Sequence, residues 1–355
     1  MTKSKTTLKR LWPFILILIA IAVGGAWYIH ISRTKVPVIS AALDSVTDTK
    51  DPEPEQPKPI VFKNYGPAPE LTGITKWFNG DPQTLAGLKG KVTVVDFWTY
   101  SSINSTRTIP YLVDWQKKYQ DNGLAIIGVH TPEYAFEKIP DNLTNAIKSH
   151  GINYPIAQDN DYKTWSAYHN QFWPALYLID RAGNIVYTYY GEGNYADIEK
   201  AVRTVLGLEG DYNTPPVVEQ DQSQTPQIYL GLAKLSQLGN SEKPSSDPQI
   251  FSYPKKLGDG KFAIEGQWAF NQEAAIHTNG FARIKLNFNA AKVFLVAQSP
   301  EPTTIRVYVD GVLVKGVVVT DSQLYQLYDS ISGGPHTMEI EVPDNGFQAS
   351  TFTFG

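Results

Sequence analysis

The stretch Val94-Val95-Asp96-Phe97-Trp98-Thr99-Tyr100-Ser101-Ser102-Ile103-Asn104-Ser105-Thr106-Arg107-Thr108-Ile109-Pro110-Tyr111 decides how this chain is read. It opens inside Val92–Trp98, an apolar run interrupted only by Thr93 and Asp96. Such a run fits a strand buried on both faces. Ser101 and Ser102 come next. Serine is among the best helix caps, because its hydroxyl accepts a backbone N–H that the first turn leaves without a partner. Beyond them, Leu112, Val113, Trp115 and Tyr119 stand at helical spacing within Pro110–Tyr119.

Outward from this point the elements continue in an α/β pattern. Leu124–Val129 reads as a second buried strand and Phe136–His150 as a helix. Ala175–Ile179 and Ile185–Tyr190 read as strands joined by the turn Asp180-Arg181-Ala182-Gly183-Asn184, with glycine available for positive φ. Ala196–Leu206 closes as a helix before Gly207. The order β-α-β-α-β-β-α predicts an α/β domain with a mixed sheet over residues 69–210. Residues 211–226 form a connector containing Pro215-Pro216. Residues 227–355 change character. Phe281–Phe288, Lys292–Ala297, Thr304–Val309, Val312–Val319, His336–Val342 and Ala349–Phe354 alternate or run apolar, and Asp310-Gly311 is a strong hairpin turn. Short strands at this spacing predict an all-β jelly roll or sandwich.

The opening stretch resembles the active-site strand and helix of thioredoxin-like proteins. It is most similar to the extracytoplasmic C-terminal region of the DipZ-type thiol:disulfide interchange proteins, relatives of the TlpA-like redoxins. In that family Asp-Phe-Trp-Thr-Tyr precedes Ser-Cys-Ile-Asn-Cys, and a helix with Arg-Thr and Pro-Tyr follows. Here Ser102 and Ser105 stand at the two cysteine positions. Phe172-Trp173-Pro174-Ala175 resembles the family's cis-proline strand, Thr225-Pro226-Gln227-Ile228-Tyr229-Leu230-Gly231 the entry to its C-terminal domain, and Thr351-Phe352-Thr353-Phe354-Gly355 its end. The likeness covers residues 65–355 and omits the family's multi-span membrane domain.

The resemblance implies a thiol–disulfide site. A cysteine at a helix N-terminus has its pKa lowered from about 8.5 to as little as ~3.5–7, because free N–H groups and the helix dipole stabilise the thiolate. The thiolate attacks a disulfide, and a second thiol three residues on resolves the mixed disulfide. By the same resemblance Asp96 is the buried acid that shuttles a proton. Pro174 is the cis-proline beside the pair. Trp98 and Tyr100 read either as core aromatics or, with Trp173, as the lining of a substrate groove. Serine stays protonated and forms no disulfide, so the chain as written is expected to be redox-inactive. It is either a natural pseudo-enzyme or a cysteine-to-serine variant. A serine hydrolase built on Ser102, His130 and Asp96 is a weaker reading, since Gly-x-Ser-x-Gly is absent.

The chain has 355 residues and no cysteine, which removes disulfides and thiolate metal sites together. Lys3, Lys5, Lys9 and Arg10 are the only charges before residue 31. Without them the 31 basic and 35 acidic residues become 27 against 35, a net of −8. A remainder that acidic repels nucleic acid. Residues 1–10 are a basic segment, and Leu11–Ile31 holds no Asp, Glu, Lys or Arg over 21 residues. About 20 apolar residues span a bilayer, and the preceding positive charges orient the N-terminus to the cytoplasm. A single-pass anchor in the cytoplasmic membrane with extracytoplasmic domains is expected. A cleaved signal peptide is the alternative, although this apolar segment is longer than the usual ~7–15 residues. Residues 32–68, with Pro52, Pro54, Pro57 and Pro59, read as an acidic, extended tether. The six histidines show no metal-ligand spacing, so no zinc site and no cofactor are expected. Asn142-Leu143-Thr144 fits a glycosylation acceptor by pattern alone. By family resemblance the partners are exported proteins or a redox partner protein. In the C-terminal domain Trp268, Tyr308, Tyr325 and Tyr328 read as core or as a platform for glycan. A non-catalytic binding module for exported polypeptide or cell-wall glycan is therefore the alternative function.

Overall fold

Successive side chains of a strand point to opposite faces, and Val92–Trp98 uses this to build two apolar layers. Val92, Val94 and Trp98 face one cluster with Ile109, Leu112 and Trp115. Val95 and Phe97 face the other, with Ile127, Val129 and Tyr177. Asp96 falls between Val94 and Trp98 and so shares their face. The computed structural model describes residues 62–210, 223–235 and 237–355. The expected basic segment and anchor, most of the expected tether and residues 211–222 of the connector lie outside the described residues. Among the described residues no helix is long and apolar enough to cross a membrane.

The N-terminal sheet has six strands: β1 (Lys76–Phe78), β2 (Val92–Trp98), β3 (Leu124–His130), β4 (Ile156–Gln158), β5 (Ala175–Ile179) and β6 (Ile185–Tyr190). Their order is β1-β4-β3-β2-β5-β6. β2, β3 and β4 are parallel; β1, β5 and β6 join antiparallel. This is the predicted mixed α/β sheet. Four helices accompany it: α1 (Ile103–Tyr119), α2 (Pro140–Ser149), α3 (Lys163–Ala167) and α4 (Tyr195–Leu206). α1, α2 and α4 pack on the face that carries Val92 and Val94.

The structure departs from the sequence reading in particular places. α1 begins seven residues before Pro110 and holds that proline inside it. Buried Ser105, Thr108 and Ile109 extend its packed face toward the cap. The expected helix Phe136–His150 is divided. Ala135–Lys138 is a 3₁₀ turn, Ile139 is extended at φ −77° and ψ 118°, and α2 starts at Pro140. A residue before proline is pushed out of the helical region, while proline itself suits the first helical position. The last residues of the expected tether are also docked. Lys63 and Tyr65 donate their backbone N–H groups to Val186 and Ile185, at 3.2 and 2.9 Å.

The C-terminal domain contains β7 (Ile228–Tyr229), β8 (Gln249–Phe251), β9 (Phe262–Phe270), β10 (Ala275–Asn289), β11 (Lys292–Gln298), β12 (Thr303–Val309), β13 (Val312–Val319), β14 (Gln323–Asp329), β15 (Pro335–Val342) and β16 (Gln348–Phe354). It is all-β, as expected, but its hydrogen bonds make one ten-stranded sheet rather than two separate ones. The long strand β10 is the reason. Its start pairs with β16, and its later part, from Ala282 on, pairs with β15. Irregular register between His277 and Arg283 lets it bend from one half to the other. The sheet curls until its ends meet, and Lys315 Nζ on β13 donates to the Gln326 carbonyl on β14 at 2.8 Å. Phe262, Ile264, Trp268, Leu286, Ile340 and Phe352 fill the enclosed core.

Candidate functional site

The site is built where β2 ends. The chain leaves Trp98, turns through Thr99-Tyr100-Ser101, and enters α1 with Ser102 as its cap. Ser102 is extended at φ −89° and ψ 119°, and its hydroxyl accepts the Ser105 N–H at 3.4 Å. Ser105 lies one turn into the helix and is buried. Its hydroxyl accepts the Thr99 N–H at 3.4 Å. The pair thus lies at the N-terminus of a 17-residue helix, where backbone N–H groups favour an anion.

Pro174 reaches the same end of the sheet. The antiparallel register pairs Phe97 with Ala175, so the preceding Pro174 stands level with Trp98. The Trp173–Pro174 peptide is cis. Trp173 is half-buried, lies tilted by 37° against Trp165 with ring centroids 4.3 Å apart, and donates its Nε1–H to the Thr131 carbonyl at 3.0 Å.

Asp96 is fully enclosed, and neither carboxylate oxygen has a hydrogen-bonding partner among the described residues. Burial pushes its pKa up from 3.8 to about 7, because a charge removed from water without a partner is disfavoured. A carboxyl poised near neutrality can accept or give a proton. His130 ends β3 opposite Trp98 and is stacked on Tyr100 with ring centroids 5.5 Å apart. Burial lowers its pKa to about 3. Its Nε2 lies 3.5 Å from the Thr99 hydroxyl, and its Nδ1 has no partner among the described residues. No Asp–His hydrogen bond forms, so the serine-hydrolase triad is not assembled.

One groove expectation needs correction. Trp98 is completely buried in the core under α1, and Tyr100 is 4% exposed. Trp98 therefore lines no groove. Tyr100, though buried, lines a cavity of about 340 Å³ with Ile103, Asn142, Phe294 and Asp321. The exposed aromatic pair beside Pro174 is Phe172 and Tyr190, with ring centroids 5.4 Å apart. Sequence alone did not single them out, since alternation cannot tell which ring at or just beyond a strand end stays in solvent.

The C-terminal domain forms part of the wall. A cleft of about 220 Å³ opens on Ser102 and Asn104, and is closed by Glu192, Thr225, Gln227 and Thr353. The domains are tied nearby. The Tyr134 and Thr351 hydroxyls share a hydrogen bond. The Ala135 N–H donates to both carboxylate oxygens of Glu273, each at 3.1 Å. Glu133 accepts from the Tyr229 hydroxyl at 3.2 Å and from Lys234 at 2.8 Å.

Residues 66–206 match the family model described as Redoxin, and residues 225–355 match the Thioredoxin like C-terminal domain. The thiol-disulfide oxidoreductase YkuV of Bacillus subtilis is 31% identical over 140 residues, covering 39% of this chain and 94% of YkuV. The chain belongs to the thioredoxin-like family. Protein DipZ of Mycobacterium bovis and of Mycobacterium tuberculosis is 38% identical over 305 residues, covering 83% of this chain. The chain spans 44% of the length of those DipZ proteins. A solved thioredoxin-like protein in the oxidized form is 32% identical, covers 40% of this chain and 97% of its own, and has a TM-score of 0.38.

Other sequence candidates in this thioredoxin-like chain also find their places. Trp268 and Tyr325 are buried, so neither supplies an open glycan platform. Tyr308 donates to Glu341 at 3.1 Å. Asn142 lies in α2 and donates its side-chain N–H to the Phe136 carbonyl at 3.0 Å, an engaged amide rather than a free loop acceptor.

Proposed function

We propose that this chain is a single-pass, membrane-tethered, extracytoplasmic thioredoxin-type protein that is redox-inactive as it stands. The observation that carries the reading is the pair Ser102 and Ser105, capping and opening α1 in a chain without cysteine. In thiol–disulfide exchange, a thiolate at the cap attacks one sulfur of a substrate disulfide. The substrate S–S bond breaks, a mixed disulfide forms, and one substrate sulfur leaves as thiolate. The second thiol then loses its proton, attacks the mixed disulfide and closes the enzyme's own S–S bond. The substrate leaves reduced by two electrons. A serine hydroxyl supports neither attack nor closure. What persists is the surface around Ser102, Trp173 and Pro174, which would hold an extended exported polypeptide without chemistry.

Insulin reduction with a dithiol reductant tests the assignment. The chain should add nothing to the uncatalysed rate, and the double variant Ser102→Cys, Ser105→Cys should accelerate it. Turnover by the unaltered chain would remove the claim of inactivity. No turnover by the double variant would remove the claim that the scaffold is that of an exchange enzyme. Retention of unfolded exported polypeptide by the unaltered chain, measured by pull-down, checks the binding role.

A further inference from the structure

Glu137 has no exposed surface, yet no cation touches its carboxylate among the described hydrogen bonds and ion pairs. Five donors converge on it instead. Oε1 accepts from the Thr99 hydroxyl, from the Ser101 N–H at 3.2 Å and from the Ser101 hydroxyl at 2.7 Å. Oε2 accepts the N–H groups of Glu133 at 2.5 Å and Tyr134 at 3.0 Å. One oxygen therefore holds the loop that presents Ser102. The other holds the turn that touches the C-terminal domain through Glu133, Tyr134 and Ala135. A buried carboxylate is expensive unless its acceptor sites are filled. Filled as it is here, it fixes two segments against each other at defined distances.

We propose that Glu137 is a positioning residue that fixes the Thr99–Ser101 loop beneath Ser102 and couples that loop to the C-terminal β domain. The role rests on reading residues 96–105 as the site, but its geometry does not depend on redox chemistry. Each oxygen serves one segment, so breaking either half leaves hydroxyl or backbone N–H donors without their acceptor in a buried space. Those donors then find partners only by local opening.

Amide hydrogen exchange on the full chain, with Ser102 and Ser105 unaltered, tests this apart from any turnover. Glu137→Ala should speed exchange of the Ser101 and Tyr134 amides by at least about tenfold, with core amides of β2 and β3 unchanged. Glu137→Gln keeps one carbonyl oxygen and presents an NH₂ to the other set of donors. It should release one segment and spare the other. In Glu137→Ala, a uniform rise at all amides, or none at Ser101, overturns the proposal. A second variant, Tyr134→Phe with Glu273→Gln, touches only the far contacts. Faster Ser101 exchange there supports the coupling, and unchanged exchange overturns it.

A pH profile separates positioning from simple structural support. Burial pushes the Glu137 pKa from 4.5 to about 6, although hydrogen bonds from Thr99 and Ser101 oppose the shift. Protonation puts an O–H among converging donors. Ser101 exchange, corrected for its intrinsic rate, should therefore rise as pH falls through about 6. The other titratable groups facing this carboxylate are Glu133, Tyr134, Tyr100 and Tyr162, with His130 behind Thr99. Lys234 and Glu273 lie across the domain contact. The pH step should vanish in Glu137→Gln and persist in Asp96→Asn. A step that survives in Glu137→Gln belongs to another group and overturns the assignment.

Discussion

At the scale of single residues, Ser102 and Asp96 carry different burdens. Ser102 caps α1 through a 3.4 Å hydrogen bond. Such a cap contributes about 0.5–2 kcal/mol, and a contact that long belongs at the low end. Asp96 acts in the opposite direction. Its pKa is raised from 3.8 to about 7 by burial, so the folded state binds its proton more tightly than the unfolded chain. Stability from this group is complete below about pH 4 and is lost as pH rises through about 7. The rise from 3.8 to about 7 corresponds to roughly 4 kcal/mol. Asp96→Asn should therefore be more stable than the parent at pH 8, by up to about 4 kcal/mol, with an advantage that shrinks toward zero near pH 4. Denaturant unfolding at several pH values measures this, and an advantage independent of pH would refute it. Asp96 was visible in the sequence as a lone acid within an apolar run. Glu137 was not, because a helix over 136–150 would place it in a solvated first turn.

At the scale of elements, long periodic segments were legible and short ones were not. β2, β5, β6 and β13 begin and end where the apolar pattern does. β1 and β4 have three residues each, too few for alternation to rise above chance. They exist because a neighbouring edge supplies hydrogen bonds, as β3 does for β4. β9, with nine residues, escaped for another reason. Gly266 and polar Glu265 and Gln267 interrupt its centre, where pairing with β10 is irregular. Packing between elements also sets one glycine. Gly128 on β3 pairs with Asp96 and Ile156. A methyl group there would lie 2.5 Å from Ile156 Cδ1 and 2.9 Å from Trp98 Nε1. Gly128→Ala should cost about 1–3 kcal/mol through overpacking. A melting temperature equal to that of the parent would show that Trp98 has room to move.

At the scale of the whole molecule, two claims depend on different halves of the chain. The anchor rests on Leu11–Ile31, which lies outside the described residues. The full chain should remain with membranes after an alkaline carbonate wash, and a chain without residues 1–31 should be released to the supernatant. Equal partitioning of the two would end the anchored reading. The domain arrangement rests on tertiary contact. Thr225, Gln227 and Thr353 close the cleft on Ser102 although they lie more than a hundred residues away in sequence. By itself the sequence determined the α/β domain, the all-β domain after it, the central strand, the capped helix and the absence of thiols. Those features follow from local periodicity, cap chemistry and composition, all of which act over a few residues. Only the tertiary structure decided that Trp98 is core, that the C-terminal strands curl into one sheet through β10, and that Glu137 joins the Ser102 loop to the second domain. These depend on which distant groups share a buried space, and burial is a property of the packed chain rather than of any segment.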